Sequence, residues 1–389
     1  MLLALHELFP DAPLYTSVYS PEKAGWADVF PKVIPSFLQK IPVLKDHHQL
    51  FGWLTPIAYE SFSFDGYDLV ISVTSEAAKG ILTKPQTKHI CYCLTPTRYL
   101  WSGYDLYLKD RPSDLGWIPF YKYLSKPFLA YTKHWDKIAA QRPDMMIAIS
   151  TEVQNRIKKY YERESEIIYP PVNTKKFEIR NPKFETNHKF QITNSKPTTN
   201  HQSQVTNYYL IVSRLEPYKK VDLAIEAFIK MGKTLVVAGT GSMEFKYKSK
   251  YLTERGPAPQ GKYMKNKNII FTGFIEDDEV VSLMQNAKGF IYPQEEDFGI
   301  TAVEAQAAGC PVIAYKKGGA IDTVVAPSAS SGRVATGVFF DEQNVESLIA
   351  SVQRFEKMKF DKKVLQKNAE RFDTDRFKKE ILDLVKKNG

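Results

Sequence analysis

Two carboxylates stand eight residues apart in "EEDFGITAVE": Glu296 precedes an apolar helical pattern and Glu304 falls inside it. A helix N-terminus favours negative charge, so capping accounts for part of this acid. It does not account for Glu296. Gly299 permits close backbone approach and the helix opens near Ile300 or Thr301, so Phe298 to Thr301 offer free amides to phosphate oxygens. From its place on the first helical turn, Glu304 can accept both hydroxyls of a ribose. Glu296 then reaches hydroxyls of a sugar on the far side of a diphosphate. Two cations match this arrangement. Arg214 and Lys219 in "SRLEPYKK" follow a strand pattern and precede a helix. Arg forks across two oxygens and Lys adds a point charge, which suits a diphosphate. Taken alone, the pair fits ordinary solvated loop charges better.

Other segments carry weaker signals. In "VVAGTGSMEF", Gly239 and Gly241 follow a strand, but Glu244 stands where a dinucleotide fingerprint needs its third glycine. A tight turn is the better reading. Gly273 ends a further strand, and backbone around Phe274 can face a base. Gly318 and Gly319 make a turn after "CPVIAY". On the N-terminal side, Arg98 and Trp101 follow a strand end and are the acceptor-side candidates. Asp373 to Asp375, "DTD", precede a helix with no strand leading in, which reads as capping rather than as a metal triplet.

These residues need elements to position them. Apolar runs alternate with helical patterns: "YDLVIS" into "SEAAKGIL", "PDMMIAIS" into "TEVQNRIKKYY", "NYYLIVS" into "YKKVDLAIEAFIK", and "KGFIYP" into "ITAVEAQAAG". Strand followed by helix, repeated, predicts parallel βαβ units and an α/β fold. Ser150 and Thr151 are the cap candidates for the helix near Glu152. The pattern lapses over 178–207, a polar Asn- and Thr-rich stretch that reads as a linker or insertion. Two Rossmann-like domains are predicted, 1–177 and 208–372, with a cleft between them and a final helix at 373–389 that packs back on the first. Ligands bind at the carboxyl ends of strands in such sheets. Residues 1–9 read as a helix and "APLYTSVYS" as a strand, so the opening strand of a doubly wound domain and its loop are expected to be missing.

Composition narrows the class. The chain has 389 residues, 43% hydrophobic and 25% charged, as in globular proteins. A net charge of +9 points to anionic partners, and phosphorylated metabolites fit better than nucleic acid, for which no signature is present. There is no apolar run of membrane-spanning length and no signal-peptide pattern, so a cytoplasmic location is expected. Cys91, Cys93 and Cys310 suggest neither a disulfide framework nor a metal site. The basic, aromatic-rich stretch "GWIPFYKYLSKPFLAYTKHWDKIAAQR" reads either as a core-packed helix or as a peripheral contact for an anionic membrane at the inner face of the plasma membrane.

The combination "SRLEPYKK", "EEDFGITAVEAQAAGCPVIA" and "KGGAIDTV" resembles the donor-binding half of retaining GT-B glycosyltransferases, family 4 (glycosyl transferases group 1). Its E-x7-E motif matches Glu296 and Glu304, and its diphosphate-binding Arg and Lys match Arg214 and Lys219. "CYCLTPTRYLW" and "IIYPPVNTKKF" resemble, more specifically, mannosyltransferases of O-antigen and capsule assembly. Two departures stand out. The family's glycine-rich loop after the first strand has no counterpart, and Leu94 stands where relatives often carry His.

The resemblance implies a hexosyl transfer, from GDP-mannose as nucleotide-sugar donor onto a glycan or lipid-linked acceptor, without metal or other cofactor. Arg214 and Lys219 then stabilise the leaving diphosphate and Glu296 orients the sugar. Glu304 holds the ribose, with Phe298, Gly299, Ile300, Thr301, Gly273 and Phe274 lining the donor. The competing reading is a non-catalytic nucleotide-sugar-binding or partner subunit with an incomplete acceptor site.

Overall fold

The computed structural model describes residues 1–41, 52–104, 121–178, 207–255, 262–264, 266–327 and 334–388. Most of the polar stretch at 178–207 lies outside them. Chain contacts divide the protein into two units, Met1–Pro171 with the residues from Asp375 onward, and Val172–Thr374.

In the first unit, β1 (Leu14–Thr16) and β2 (Val33–Pro35) form a parallel pair. A separate parallel sheet runs in the order β3 (Leu69–Thr74), β4 (Lys88–Cys93), β5 (Met145–Ala148), β6 (Glu166–Ile167). The run "KHICYC" makes β4 an interior strand, buried along nearly its whole length, as a strand covered on both faces must be. Ser150 caps the helix Thr151–Tyr161, its hydroxyl accepting from the Val153 amide at 3.1 Å. "SEAAKGIL", expected to be helical, makes only a 3₁₀ turn over Ala77–Gly80. There the Lys79 side chain turns inward to Asp136 at 2.5 Å, and Gly80 lies where a Cβ would strike the Trp135 ring. The closing helix Thr374–Asn388 sets Phe377 edge-on to Tyr92, ring centroids 5.7 Å apart, and pairs Lys378 with Glu7.

The second unit holds β7 (Tyr209–Val212), β8 (Leu235–Ala238), the antiparallel pair β9 (Thr253–Arg255) and β10 (Lys262–Met264), then β11 (Ile269–Gly273), β12 (Gly289–Tyr292), β13 (Val312–Tyr315) and β14 (Gly337–Phe340). Its main sheet has six parallel strands in the order β11-β8-β7-β12-β13-β14. The chain winds outward from β7 through β8 to β11, then returns to β12 and winds the other way. The direction therefore reverses between β7 and β12. Ile211, Phe228, Val237, Ile291 and Ile313 fill the core with next to no exposure. The helix Val221–Met231 ends at Gly232, whose φ of +64° is the left-handed stop that glycine takes without strain.

Candidate active site

The loops after β7 and β12 flank the reversal point, where the carboxyl ends of neighbouring strands leave room for a ligand. The sequence-predicted cations and Glu296 all emerge there. After β7, Leu215 is fully buried and anchors the loop while Arg214 stays exposed and donates to the Tyr218 hydroxyl at 3.2 Å. Glu216 ties this loop to the one after β8, accepting from the Ser242 amide at 3.2 Å and hydroxyl at 2.6 Å. Those hydrogen bonds hold its carboxyl below the usual range, with Arg214 adding a smaller pull. A 3₁₀ turn over Pro217–Lys219 then brings Lys219 round before the helix starts.

After β12, the Glu296 carboxylate accepts from the Tyr292 hydroxyl at 2.6 Å and is ion-paired with Lys219. The two side chains of the pair are only 13% and 21% exposed, so the contact is largely withdrawn from water. Sequence reasoning placed Lys219 on the diphosphate and Glu296 on the sugar; the fold brings the two together as an ion pair. Gly318 and Gly319 fix this loop from the other side. The Gly319 amide donates to the Glu296 carbonyl at 2.8 Å. Gly318, at φ +64°, lies against the Glu296 backbone and Gly319 against that of Phe298, so close that a side chain at either would collide.

Gly299 adopts φ +94° as the N-cap of the helix Ile300–Ala307, and a Cβ there would meet the Tyr292 hydroxyl at 2.6 Å. The same glycine thus lets the helix start and leaves room for the tyrosine that holds Glu296. Ile300 is 46% exposed at the helix opening with Thr301 beside it, and the first amides of any helix lack partners within it. Glu304 is the fifth residue of this helix, on its second turn rather than the first as the sequence suggested. Its carboxyl is half-buried, and burial pushes it up to about 7 from 4.5; Lys176 opposes the shift and Asp277 adds to it. Lys176 and Asp277 are themselves ion-paired.

One expectation for a donor-lining residue narrows. The Phe298 ring turns into the core, 4% exposed and edge-on to Phe372 at 5.4 Å, leaving only its backbone for a ligand. Phe274, by contrast, is 72% exposed just past Gly273, which takes φ +73° and accepts from the Gly239 amide at 2.8 Å. Of the residues that sequence reasoning missed, Tyr292, Ser242 and Lys176 matter most. Ser242 and Lys176 lie in segments already singled out, in "VVAGTGSMEF" and "IIYPPVNTKKF", but each of the three acts through a partner brought near by the fold.

In the first unit, Arg98 is exposed and Trp101 half-exposed. The Trp101 indole N–H donates to Asp136 at 2.8 Å, its ring stacks on Tyr160 at 5.1 Å, and Lys133 lies over it at 4.7 Å. The Trp101 N–H is taken by Asp136 and its ring is contacted by Tyr160 and Lys133, so only the exposed part of the ring is left for an acceptor. At the chain's other end, Asp373 accepts from the Thr174 hydroxyl at 2.6 Å.

A parallel sheet with cationic and acidic loops meeting at its reversal point defines a doubly wound α/β domain with room for a ligand at that point. Comparisons agree. Residues 199–372 match the family model "Glycosyl transferases group 1". HepE from Anabaena, solved in complex with UDP, aligns with a TM-score of 0.65 at 16% identity, covering 99% of this chain and 95% of that one. Sucrose-phosphate synthase from Thermosynechococcus elongatus aligns with a TM-score of 0.59 at 15% identity, covering 91% and 82%. Among curated proteins, the alpha-1,3/1,6-mannosyltransferase ALG2 of Dictyostelium discoideum is 28% identical over 182 residues, 43% of each chain. That of Candida glabrata is 25% identical over 248 residues, 53% of this chain and 52% of its own. The chain thus spans about half the length of these relatives. Its fold is that of the GT-B class, and residues 199–372 are similar to glycosyl transferases group 1.

Proposed function

We propose that the protein transfers a hexose with retention of configuration, mannose from GDP-mannose, onto a glycan or lipid-linked acceptor in cell-envelope polysaccharide synthesis. The observation that carries the reading is the Lys219–Glu296 pair beside Arg214 at the sheet's reversal point. Mannose is supported by the distant ALG2 relatives and by the resemblance of "IIYPPVNTKKF" and "CYCLTPTRYLW"; guanine rests on that resemblance alone.

In this reading a donor separates the pair. Lys219 and Arg214 move onto the diphosphate and neutralise charge as it develops on the leaving group. Glu296, still held by Tyr292, accepts from hydroxyls of the sugar. Glu304 takes the ribose hydroxyls, the opening amides of the Ile300–Ala307 helix take phosphate oxygens, and Phe274 lies against the base. The acceptor attacks from the face the nucleotide leaves, and a donor phosphate oxygen takes its proton. No metal or other cofactor enters these steps, and Arg98 and the Trp101 ring serve the acceptor. A panel of GDP-, UDP- and ADP-sugars assayed for nucleotide release tests the reading. Release from GDP-mannose supports it, and release from UDP-glucose alone overturns the donor assignment. Binding without turnover of any donor would put a non-catalytic subunit in its place.

A peripheral membrane contact at the cytoplasmic face is a second element of the proposal. No helix among the described residues is long and apolar enough to cross a membrane. The helix Tyr121–Ala139 does expose Phe128 and Tyr131, and Phe128 packs on exposed Trp53 at 5.5 Å. Aromatic side chains of this kind favour the headgroup region, and nearby lysines favour anionic lipid. Flotation with vesicles containing anionic lipid should exceed flotation with neutral vesicles; equal flotation removes the contact.

A further inference from the structure

Tyr218 stands between Arg214 and Lys219 in the sequence and touches both. The Arg214 guanidinium donates to its hydroxyl at 3.2 Å, and the Lys219 ammonium lies over its ring, 5.3 Å from the centroid. The position of this side chain is set from below. Leu215 is fully buried, Pro217 opens the 3₁₀ turn with a fixed φ, and Tyr218 is the middle residue of that turn. The ring itself stays 44% exposed.

The charges around Tyr218 are arranged unequally. Lys219 is neutralised by Glu296. Arg214 is not neutralised in this way. Glu216, two residues on, has both carboxylate oxygens engaged by Ser242. Among the described residues Arg214 makes no ion pair, and its hydrogen bond is the neutral one to Tyr218. A phenol oxygen can hold one of the five guanidinium N–H groups without cancelling the charge. Tyr218 therefore aims Arg214 while leaving the charge and the rest of the fork for an anion.

The Tyr218 oxygen accepts from Arg214 and still carries its own proton, which no described residue accepts. Accepting from a cation makes a hydroxyl a stronger donor in turn. A group with this polarity suits an oxyanion within reach of the same guanidinium. Lys219, the next residue, is paired with Glu296, the carboxylate assigned to the sugar. That places Tyr218 on the sugar side of the diphosphate, away from the ribose end assigned to Glu304.

Resting on the donor reading above, we propose that Tyr218 is a third diphosphate residue beside Arg214 and Lys219. Its oxygen aims the guanidinium, and its O–H donates to an oxygen of the phosphate that carries the sugar. The ring adds a second contribution. When Lys219 leaves Glu296 for the donor, the ring face keeps a favourable contact with the ammonium. A nucleoside monophosphate lacks the outer phosphate, so Tyr218 biases the site toward diphosphates. An exposed tyrosine that merely touches two loop cations would not distinguish them.

Calorimetric titration of the full chain with GDP, GMP, UDP and UMP tests the role. Tyr218→Phe keeps the ring and loses the hydroxyl. It should weaken the better-bound diphosphate about 10-fold and leave the matching monophosphate within about twofold of wild type. Tyr218→Ala should weaken the diphosphate further, again sparing the monophosphate. Arg214→Ala should cost less in the Tyr218→Phe background than in the wild type, because the guanidinium there has already lost its guide. Unchanged diphosphate binding in Tyr218→Phe, or equal losses for diphosphate and monophosphate, overturns the role of Tyr218 and leaves the donor reading standing. Fully multiplicative losses in the double variant overturn the aiming of Arg214. Wild-type protein that binds neither GDP nor UDP overturns the donor reading itself, and this role with it.

Discussion

Lys219 and Glu296 form an ion pair that joins the loops after β7 and β12, the two strands between which the sheet reverses direction. Tyr292, one turn of chain before Glu296, holds the same carboxylate at 2.6 Å. The proposed chemistry must separate these two groups.

Lys219→Ala and Glu296→Ala should each lower kcat about 100-fold, the cost of losing one preorganised charge contact. Their effects on stability differ in origin. Each single change leaves a part-buried charge short of its partner and should cost about 1–3 kcal/mol. The double variant should recover part of that stability and none of the activity, which thermal unfolding beside nucleotide-release assays will show. Additive losses of stability would mean that the pair does not form in solution.

Tyr292→Phe tests the support of Glu296 at constant shape. Removing the hydroxyl should lower kcat about 10-fold with the fold intact, because Glu296 keeps Lys219 but loses the bond that orients it. Gly299→Ala should reach the same loss by another route. Its φ of +94° disfavours any side chain, and the new Cβ would press on the Tyr292 hydroxyl. About 1–3 kcal/mol of stability should go with it. Kinetics and melting of the two variants, compared side by side, separate these effects.

How far the site was legible follows from these residues. The E-x7-E spacing, Arg214 and Lys219 could be read because each sits where a strand-to-helix boundary is marked by Pro or Gly, and periodicity locates such boundaries well. The α/β class followed from the same alternation. Tyr292 could not be singled out, because a strand's last aromatic looks the same whether or not its hydroxyl reaches a carboxylate. Phe298 was read for its backbone amide; that its ring packs against Phe372 in the core depends on a residue distant in sequence. Gly318 and Gly319 read as a turn, yet their close approach to Glu296 and Phe298 depends on a loop distant in sequence. Contacts of that kind leave no local pattern.

The proposed role of Glu304 predicts pH-dependent nucleotide binding. Its carboxyl is pushed up to about 7 chiefly by burial. Ribose hydroxyls donate to the ionised form, so UDP or GDP should bind several-fold more tightly as pH rises from about 6 to 8, with release of a proton. Glu304→Gln should flatten that profile. Stability runs the opposite way. The folded carboxyl holds its proton more tightly than the unfolded one, so the contribution is complete below about pH 4.5 and is lost as pH rises through about 7. Calorimetric titration in buffers of different ionisation enthalpy detects the proton, and a flat wild-type profile would contradict the ribose assignment.

Asp136 should be the most sensitive position in the first unit. It accepts from Lys79 at 2.5 Å and from Thr97, Trp101 and Tyr161 at 2.8 Å each. Lys79 is 1% exposed, with the Glu76 carbonyl at 2.5 Å and Thr97 at 3.4 Å as its other partners. Asp136→Ala strands a buried ammonium and frees the indole of Trp101, so it should cost about 3–5 kcal/mol. Lys79→Met leaves a carboxylate that keeps three donors, so its cost should be smaller, about 1–3 kcal/mol. Thermal unfolding of both variants gives the order, and a Lys79→Met loss equal to or above that of Asp136→Ala would show that the three remaining donors do not sustain the charge. Trp101 fluorescence adds a local reading: it should shift in Asp136→Ala, where the indole N–H loses its acceptor, and stay near wild type in Lys79→Met.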